Sequence, residues 1–179
     1  MNKFYVIANS QKDMDFAMAD KISEYIIAKG GTCVCQKRDI GKEGIKYNSA
    51  DASLIPEGTE CVIVLGGDGT LIQAARDLSS INVPVFGINI GTLGYLTEID
   101  MEQAFPAIDR IMADEYNIDT RMILRGRVYR GDDKLYSDIA LNDIVINRMG
   151  SLKIINFDIF VNGEYLITYP ADGLIVSTP

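Results

Sequence analysis

The sequence predicts an α/β fold in two parts, an N-terminal doubly wound parallel sheet followed by an all-β region. Three observations carry that expectation. Strand-like and helix-like periods alternate through the first 115 residues, as in a parallel sheet with crossover helices. The run Cys61-Val62-Ile63-Val64-Leu65 is continuously apolar and closed by glycines, the pattern of a strand covered on both faces. After Tyr116 the period becomes two residues, the mark of half-solvated antiparallel strands. The expected domains are 1–115 and 116–179.

Each element has its own signal. Lys3 to Ala8 is short, apolar and aromatic, which suits a buried strand. Phe16, Ala19, Ile22 and Ile26 recur at helical spacing, and Gly30-Gly31 closes that helix. Thr32 to Cys35 reads as the next strand, and Lys37 to Gly58 as a long polar connection. Cys61 to Leu65 follows as a central strand. Leu71, Ala74, Ala75 and Leu78 mark a helix, Val83 to Ile88 a strand, and Phe105, Ile108, Ile111 and Met112 a further helix. Beyond Tyr116, Met122, Leu124 and Val128 alternate with Ile123, Arg125 and Arg127. Gly131-Asp132-Asp133 reads as a turn, and Asn162-Gly163 is a strong type I′ hairpin signal between Phe157–Val161 and Tyr165–Ile167.

Composition narrows the function. The 179 residues are 47% hydrophobic and 23% charged, with a net charge of -8, so a packed core is expected and wholesale disorder is not. Residues 1–100 carry 9 basic and 13 acidic groups. No basic half exists to neutralise a phosphate backbone, which argues against nucleic acid as a partner. No apolar run reaches the roughly 20 residues of a membrane span, and no signal peptide opens the chain. Cys33, Cys35 and Cys61 form no metal or disulfide framework and read as reduced thiols of a cytoplasmic protein. The absence of histidine leaves Ser/His or Cys/His nucleophilic catalysis without its base.

Two glycine-rich loops could carry chemistry. Gly66-Gly67-Asp68-Gly69-Thr70 stands between a strand and a helix. Its glycines allow close backbone approach and positive φ, Thr70 is placed to cap the helix, and the helix N-terminus favours a phosphate. Asp68 then lies at the carboxyl end of a strand, as a Mg²⁺ ligand, a general base, or simply a turn residue. The block is not a P-loop, because GxxxxGK[ST] is absent, so phosphate cradling by a lysine of that motif is excluded. The second loop, Gly87-Ile88-Asn89-Ile90-Gly91-Thr92-Leu93-Gly94-Tyr95-Leu96, offers Asn89 as donor and acceptor and Tyr95 as a stacking face. A structural crossover loop explains it as well. Asn142-Asp143 fits a bulge or a site, and Asp172 a turn or a ligand contact. Arg121, Arg125 and Arg127 share a strand face that reads as solvated, and Cys33 and Cys35 share one that reads as buried.

In order, these motifs resemble the ATP–NAD kinase family. Gly66 to Thr70 is similar to its GGDGT signature, and Gly87 to Gly91 with Leu93-Gly94-Tyr95-Leu96-Thr97-Glu98 to its second loop, where Phe often replaces Tyr95. Leu141 to Val145 resembles its Asn-Glu/Asp motif. Asn162-Gly163-Glu164-Tyr165 and Ala171 to Pro179 resemble the approach to its Gly-Ser-Thr-Ala-Tyr block. Pro170 departs from the polar residue many relatives carry there.

The resemblance implies a Rossmann-like nucleotide-binding domain and an NAD kinase, a transferase that uses ATP to phosphorylate the adenosine ribose 2′-hydroxyl of NAD and gives NADP. It implies Asp68 as general base, Gly67 and Gly69 as backbone clearance, and Thr70 and Asn89 as nucleotide-binding positions. Asn142 and Asp143 would take ribose hydroxyls, Tyr95 would border the adenine, and Asp172 would approach the nicotinamide side. Mg²⁺ or another divalent cation, and a homodimer or homotetramer, are implied with it.

A diacylglycerol-type lipid kinase shares the GGDGT block, but the net charge of -8 speaks against a membrane-facing surface. A non-catalytic NAD-binding module is the other alternative. The chain stops abruptly at Ser177-Thr178-Pro179, before the expected Gly-Ser-Thr-Ala-Tyr block. The expectation is therefore an N-terminal portion of a longer kinase, its all-β domain incomplete and the piece inactive or nearly so by itself.

Overall fold

The structure is a computed structural model that describes residues 1–9, 12–36, 52–91, 94–97, 99–150 and 154–179. It comprises two compact units, Met1–Thr120 and Arg121–Pro179. In the first, β1 (Lys3–Ala8), β2 (Thr32–Gln36), β3 (Cys61–Gly66) and β4 (Val85–Asn89) form one parallel sheet in the order β2-β1-β3-β4. The α-helices among the described residues of this unit are α1 (Ala17–Ala28), α2 (Asp68–Asp77) and α3 (Ala104–Met112).

Alternation along the strands sorts the core into two layers. Phe4, Val6, Ala8, Cys61, Ile63 and Leu65 pack with Ala19, Ile22 and Ile26 of α1 and Ala104, Ile108 and Ile111 of α3. The intervening residues Tyr5, Ile7, Val62 and Val64 pack with Ala74 and Leu78 on the α2 side. Helices therefore cover both faces of the sheet, and that is why β3 is apolar without interruption. Burying each large aliphatic side chain contributes about 1.5–3 kcal/mol. β1 and β3 are neighbours whose crossovers lead away in opposite directions, to β2 and to β4. The crevice beyond their carboxyl ends is the topological switch point, where open α/β sheets bind ligands.

Helix ends follow local chemistry. The N–H of Gly31 bonds to the carbonyl of Ile26, and that of Gly30, at φ 89°, to Ile27, which closes α1 as its glycine pair predicts. At the other end the buried Asp13 carboxylate accepts from the N–H groups of Met18 and Ala19, each at 2.9 Å. β4 begins at Val85, two residues later than the apolar run, since Pro84 has no N–H for the ladder. Of the expected polar connection, residues 37–51 lie outside the described set, and the rest holds a short 3-10 turn, Ala52–Leu54.

The second unit is built from three antiparallel pairs. β5 (Leu124–Arg130) pairs with β6 (Asp133–Ala140), β7 (Asp143–Asn147) with β10 (Gly173–Ser177), and β8 (Ile155–Val161) with β9 (Glu164–Ala171). Asn162 and Gly163 join β8 to β9 with φ of 53° and 86°, the two positive values a type I′ turn requires. Apolar side chains on these strands stay largely exposed, among them Phe160, Leu166 and Ile175.

Candidate functional site

Asp68 is the first residue of α2, immediately beyond β3, with Gly67 at the N-cap. The helix is thus capped three residues before Thr70, the cap expected from the sequence. Thr70 lies inside the first turn, where its hydroxyl accepts from the Asn9 side-chain amide at 3.2 Å. The glycines of the block also work differently from expectation. No glycine of this loop is among those with positive φ, and Gly67 has φ -121°. What they provide is closeness: a Cβ on Gly66 would overlap the Thr70 side chain, and one on Gly67 would stand 2.8 Å from Lys12 Nζ. Gly69 faces open space.

Residues 95–97 fold onto the Asp68 carboxylate. Its Oδ2 accepts the Tyr95 N–H at 2.7 Å. Its Oδ1 accepts the N–H groups of Leu96 and Thr97 at 3.1 and 3.0 Å and the Thr97 hydroxyl at 2.9 Å. Behind it, the Asn89 side-chain amide donates to Thr97 Oγ1 at 2.8 Å, and both residues are buried. Desolvation pushes the Asp68 carboxyl upward, but the hydrogen bonds from Tyr95, Thr97 and Leu96 outweigh it and hold the group below the usual carboxylate range. Gly94 makes this approach possible, because a Cβ there would overlap the carboxylate. The Tyr95 side chain itself is 89% exposed, so the loop engages Asp68 through its backbone while the ring faces solvent. Thr92, Leu93 and Glu98 lie outside the described residues.

A third segment reaches the same place. β1 ends beside β3, and the Asn9 N–H donates to the Leu65 carbonyl at 3.0 Å. From this loop Lys12 extends its amine over Gly67, and a Cβ on Gly91 would lie 3.5 Å from it. Lys12, Gly94 and Thr97 join the candidate site, and the sequence alone assigned none of them a role there. The signal for Lys12 lay in strand order, since only the adjacency of β1 and β3 carries residue 12 to residue 67.

In the second unit, Asn142 and Asp143 are exposed at one end of the β7–β10 ladder, where Asp143 is opposite Ser177. Thr178 donates its N–H to the Asn142 carbonyl at 2.8 Å. Asp172 stands next to the other end, where Gly173 is opposite Asn147, about 14 Å away at strand spacing. Its carboxylate pairs with Arg148 Nε at 3.0 Å. The ladder therefore keeps these two sets of residues apart. Arg125 and Arg127 are exposed on β5, as a solvated face requires, whereas Arg121 is exposed but precedes the strand and so does not share its face.

Cys61 is buried, and burial pushes its thiol up to about 12. Cys33 and Cys35 are half-buried, and the Cys33 thiol is raised by its hydrogen bond to Cys35 and by burial. Among the described residues no group of three or more His, Cys, Asp or Glu is clustered for a metal, and no helix is long and apolar enough to cross a membrane.

Comparison with known proteins places this architecture. The family model of the ATP-NAD kinase N-terminal domain matches residues 5–116. An NAD kinase of Lachnospira eligens is 52% identical over 181 residues, covering 99% of this chain and 61% of its own length. An NAD kinase of Agathobacter rectalis is 48% identical, covering 100% and 62%. The chain thus spans about three fifths of the length of these relatives. Among solved structures, yeast NADH kinase complexed with NADH superposes with a TM-score of 0.77 at 21% identity, covering 99% of this chain and 57% of its own. An NAD kinase from Archaeoglobus fulgidus in complex with ATP superposes with a TM-score of 0.66 at 22% identity, covering 98% and 60%. These two share the fold, and the match of sequence over residues 5–116 goes further: the chain belongs to the ATP-NAD kinase family.

Proposed function

We propose that this chain carries the phosphoryl-transfer site of an NAD kinase, which moves the γ-phosphoryl group of ATP to the 2′-hydroxyl of the adenosine ribose of NAD and gives NADP. The observation that carries the reading is the state of Asp68. Among the described residues three donors hold Oδ1 and one, the Tyr95 N–H, reaches Oδ2, which leaves Oδ2 with capacity for a substrate hydroxyl. A carboxylate with a depressed pKa is a weak base. Phosphoryl transfer through a loose transition state asks little of basicity before the phosphorus–oxygen bond has begun to form, and much of orientation. Asp68 therefore aligns the 2′-hydroxyl and takes its proton late. Gly67, Gly69 and Thr70 keep the helix N-terminus open to the nucleotide, and Asn89 fixes Thr97 behind the base. By family resemblance, Asn142 and Asp143 bind ribose hydroxyls, Tyr95 borders the adenine, and Asp172 serves the nicotinamide side.

The donor set fits a Mg²⁺ ion that arrives on the nucleotide rather than one caged by protein, because Mg²⁺ is commonly held by one carboxylate, water and substrate phosphates. Such an ion would neutralise charge on the transferring group. The cytoplasm as location and assembly into a homo-oligomer complete the reading, the latter supported by the exposed apolar side chains of β8 and β9.

The test uses protein expressed from the complete reading frame, with ATP, Mg²⁺ and NAD in an NADP-detecting coupled assay. NADP formation is expected, and none above a boiled control would overturn the reading. Asp68→Asn is expected to lose orders of magnitude in turnover with little change in NAD affinity. Near-normal turnover would remove Asp68 from the base role.

A further inference from the structure

We propose that Lys12 is the cation that binds the polyphosphate of the phosphoryl donor, supplied by the β1–α1 loop rather than by the glycine-rich block. The inference rests on the phosphotransferase reading above and adds a residue to that site.

Position is the first reason. The loops after β1 and β3 meet at the switch point of the sheet, where ligands of open α/β folds bind. Lys12 Nζ lies over Gly67, the N-cap of α2, and near Gly91 of the second loop. No side chain caps α2, so its first N–H groups and the ammonium converge on one anionic ligand. Asp68, one residue on, stands ready for the acceptor hydroxyl, which places a cation for the donor beside an anion for the acceptor.

Lys12 is also anchored through its backbone and its described neighbours. The N–H groups of Lys12 and Asp13 both donate to the Asn9 carbonyl, at 2.9 and 2.8 Å. The Asn9 amide reaches across to Thr70, and the buried Asp13 carboxylate ties the other end to α1. Between Asp13 and α1, Asp15 and Phe16 are held consecutively at φ 56°, a conformation non-glycine residues keep only where the surroundings enforce it. Lys12 itself is exposed, and among the described residues no carboxylate forms an ion pair with it. No protein anion among the described residues therefore neutralises the ammonium at this position. Lys12 is held by its backbone with its ammonium over a glycine.

The experiment measures ATP and NAD binding by calorimetry, and steady-state NADP formation, for the wild type, Lys12→Ala and Lys12→Arg. Loss of a charge-assisted phosphate contact should weaken ATP binding roughly ten- to a hundredfold in Lys12→Ala, with NAD affinity within about twofold. Lys12→Arg should restore most of the ATP affinity. ATP affinity unchanged in Lys12→Ala, or equal losses for ATP and NAD, would overturn the assignment. If the wild type forms no NADP yet binds ATP in a Lys12-dependent way, the kinase reading falls and the phosphate contact stands. A wild type that does not bind ATP overturns both.

Discussion

Asp68 accepts four hydrogen bonds from three consecutive residues, and these fix both its charge and its direction. Because its folded pKa is depressed, the stability it contributes is present above the unfolded carboxyl value of about 3.9 and is lost as pH falls through the lower folded value. The loop lock and the ionised carboxylate therefore persist throughout the neutral range, and in the proposed base role Asp68 should give turnover an acid limb below the ordinary carboxylate range. Thr97→Val removes one of the bonds that lowers this pKa and costs about 1.5–3 kcal/mol. It should reduce turnover roughly ten- to a hundredfold and move the acid limb of the rate–pH profile upward, with Thr97→Ser close to wild type. An unmoved acid limb in Thr97→Val would exclude the hydroxyl from setting the base. Gly94→Ala should be as damaging, since its methyl group would overlap the carboxylate. The sequence marked Asp68 as special through its glycines. It could not show that the partners are backbone N–H groups 27 to 29 residues away, because a backbone donor leaves no trace in residue type.

At the level of elements, the candidate site draws on described residues that follow β1, β3 and β4, and their placement depends on how the next helix or strand begins. The β1–α1 loop depends on Asp13. Asp13→Ala deprives Met18 and Ala19 of their acceptor, and loss of such a cap costs about 1 kcal/mol. Thermal unfolding should shift down by a few degrees. ATP binding should weaken as well, because Lys12 is adjacent, whereas an unchanged melting temperature would mean that the cap is not what holds the loop. Helices and strands were legible wherever a period was sustained, as in α1, β3 and the β8–β9 hairpin. Boundaries moved where a single residue's hydrogen-bonding capacity intervened. Pro84 delays β4, and Gly67 rather than Thr70 caps α2, since an extended glycine backbone can end the strand and open the helix directly.

Over the whole molecule, the buried hydrophobic side chains of the described residues all lie between Phe4 and Ile111. Stability measurements should reflect that concentration. Ile63→Ala, in the centre of β3 with no exposed surface, should lower unfolding free energy by about 2–5 kcal/mol. Ile175→Ala, at 64% exposure on β10, should change it by less than about 0.5 kcal/mol. Comparable effects in urea titrations would contradict this partition of the core. The alternation of strand and helix, the two-residue period beyond residue 116 and the carboxylate between glycines are all legible in the amino-acid order. These follow from local periodicity and from residues that few backbone conformations require. Only the tertiary structure decided that β1 lies beside β3, that Lys12 reaches Gly67, and that residues 95–97 close on Asp68. Strand order and loop closure depend on which distant surfaces bury one another, and that pairing is not encoded within any one segment.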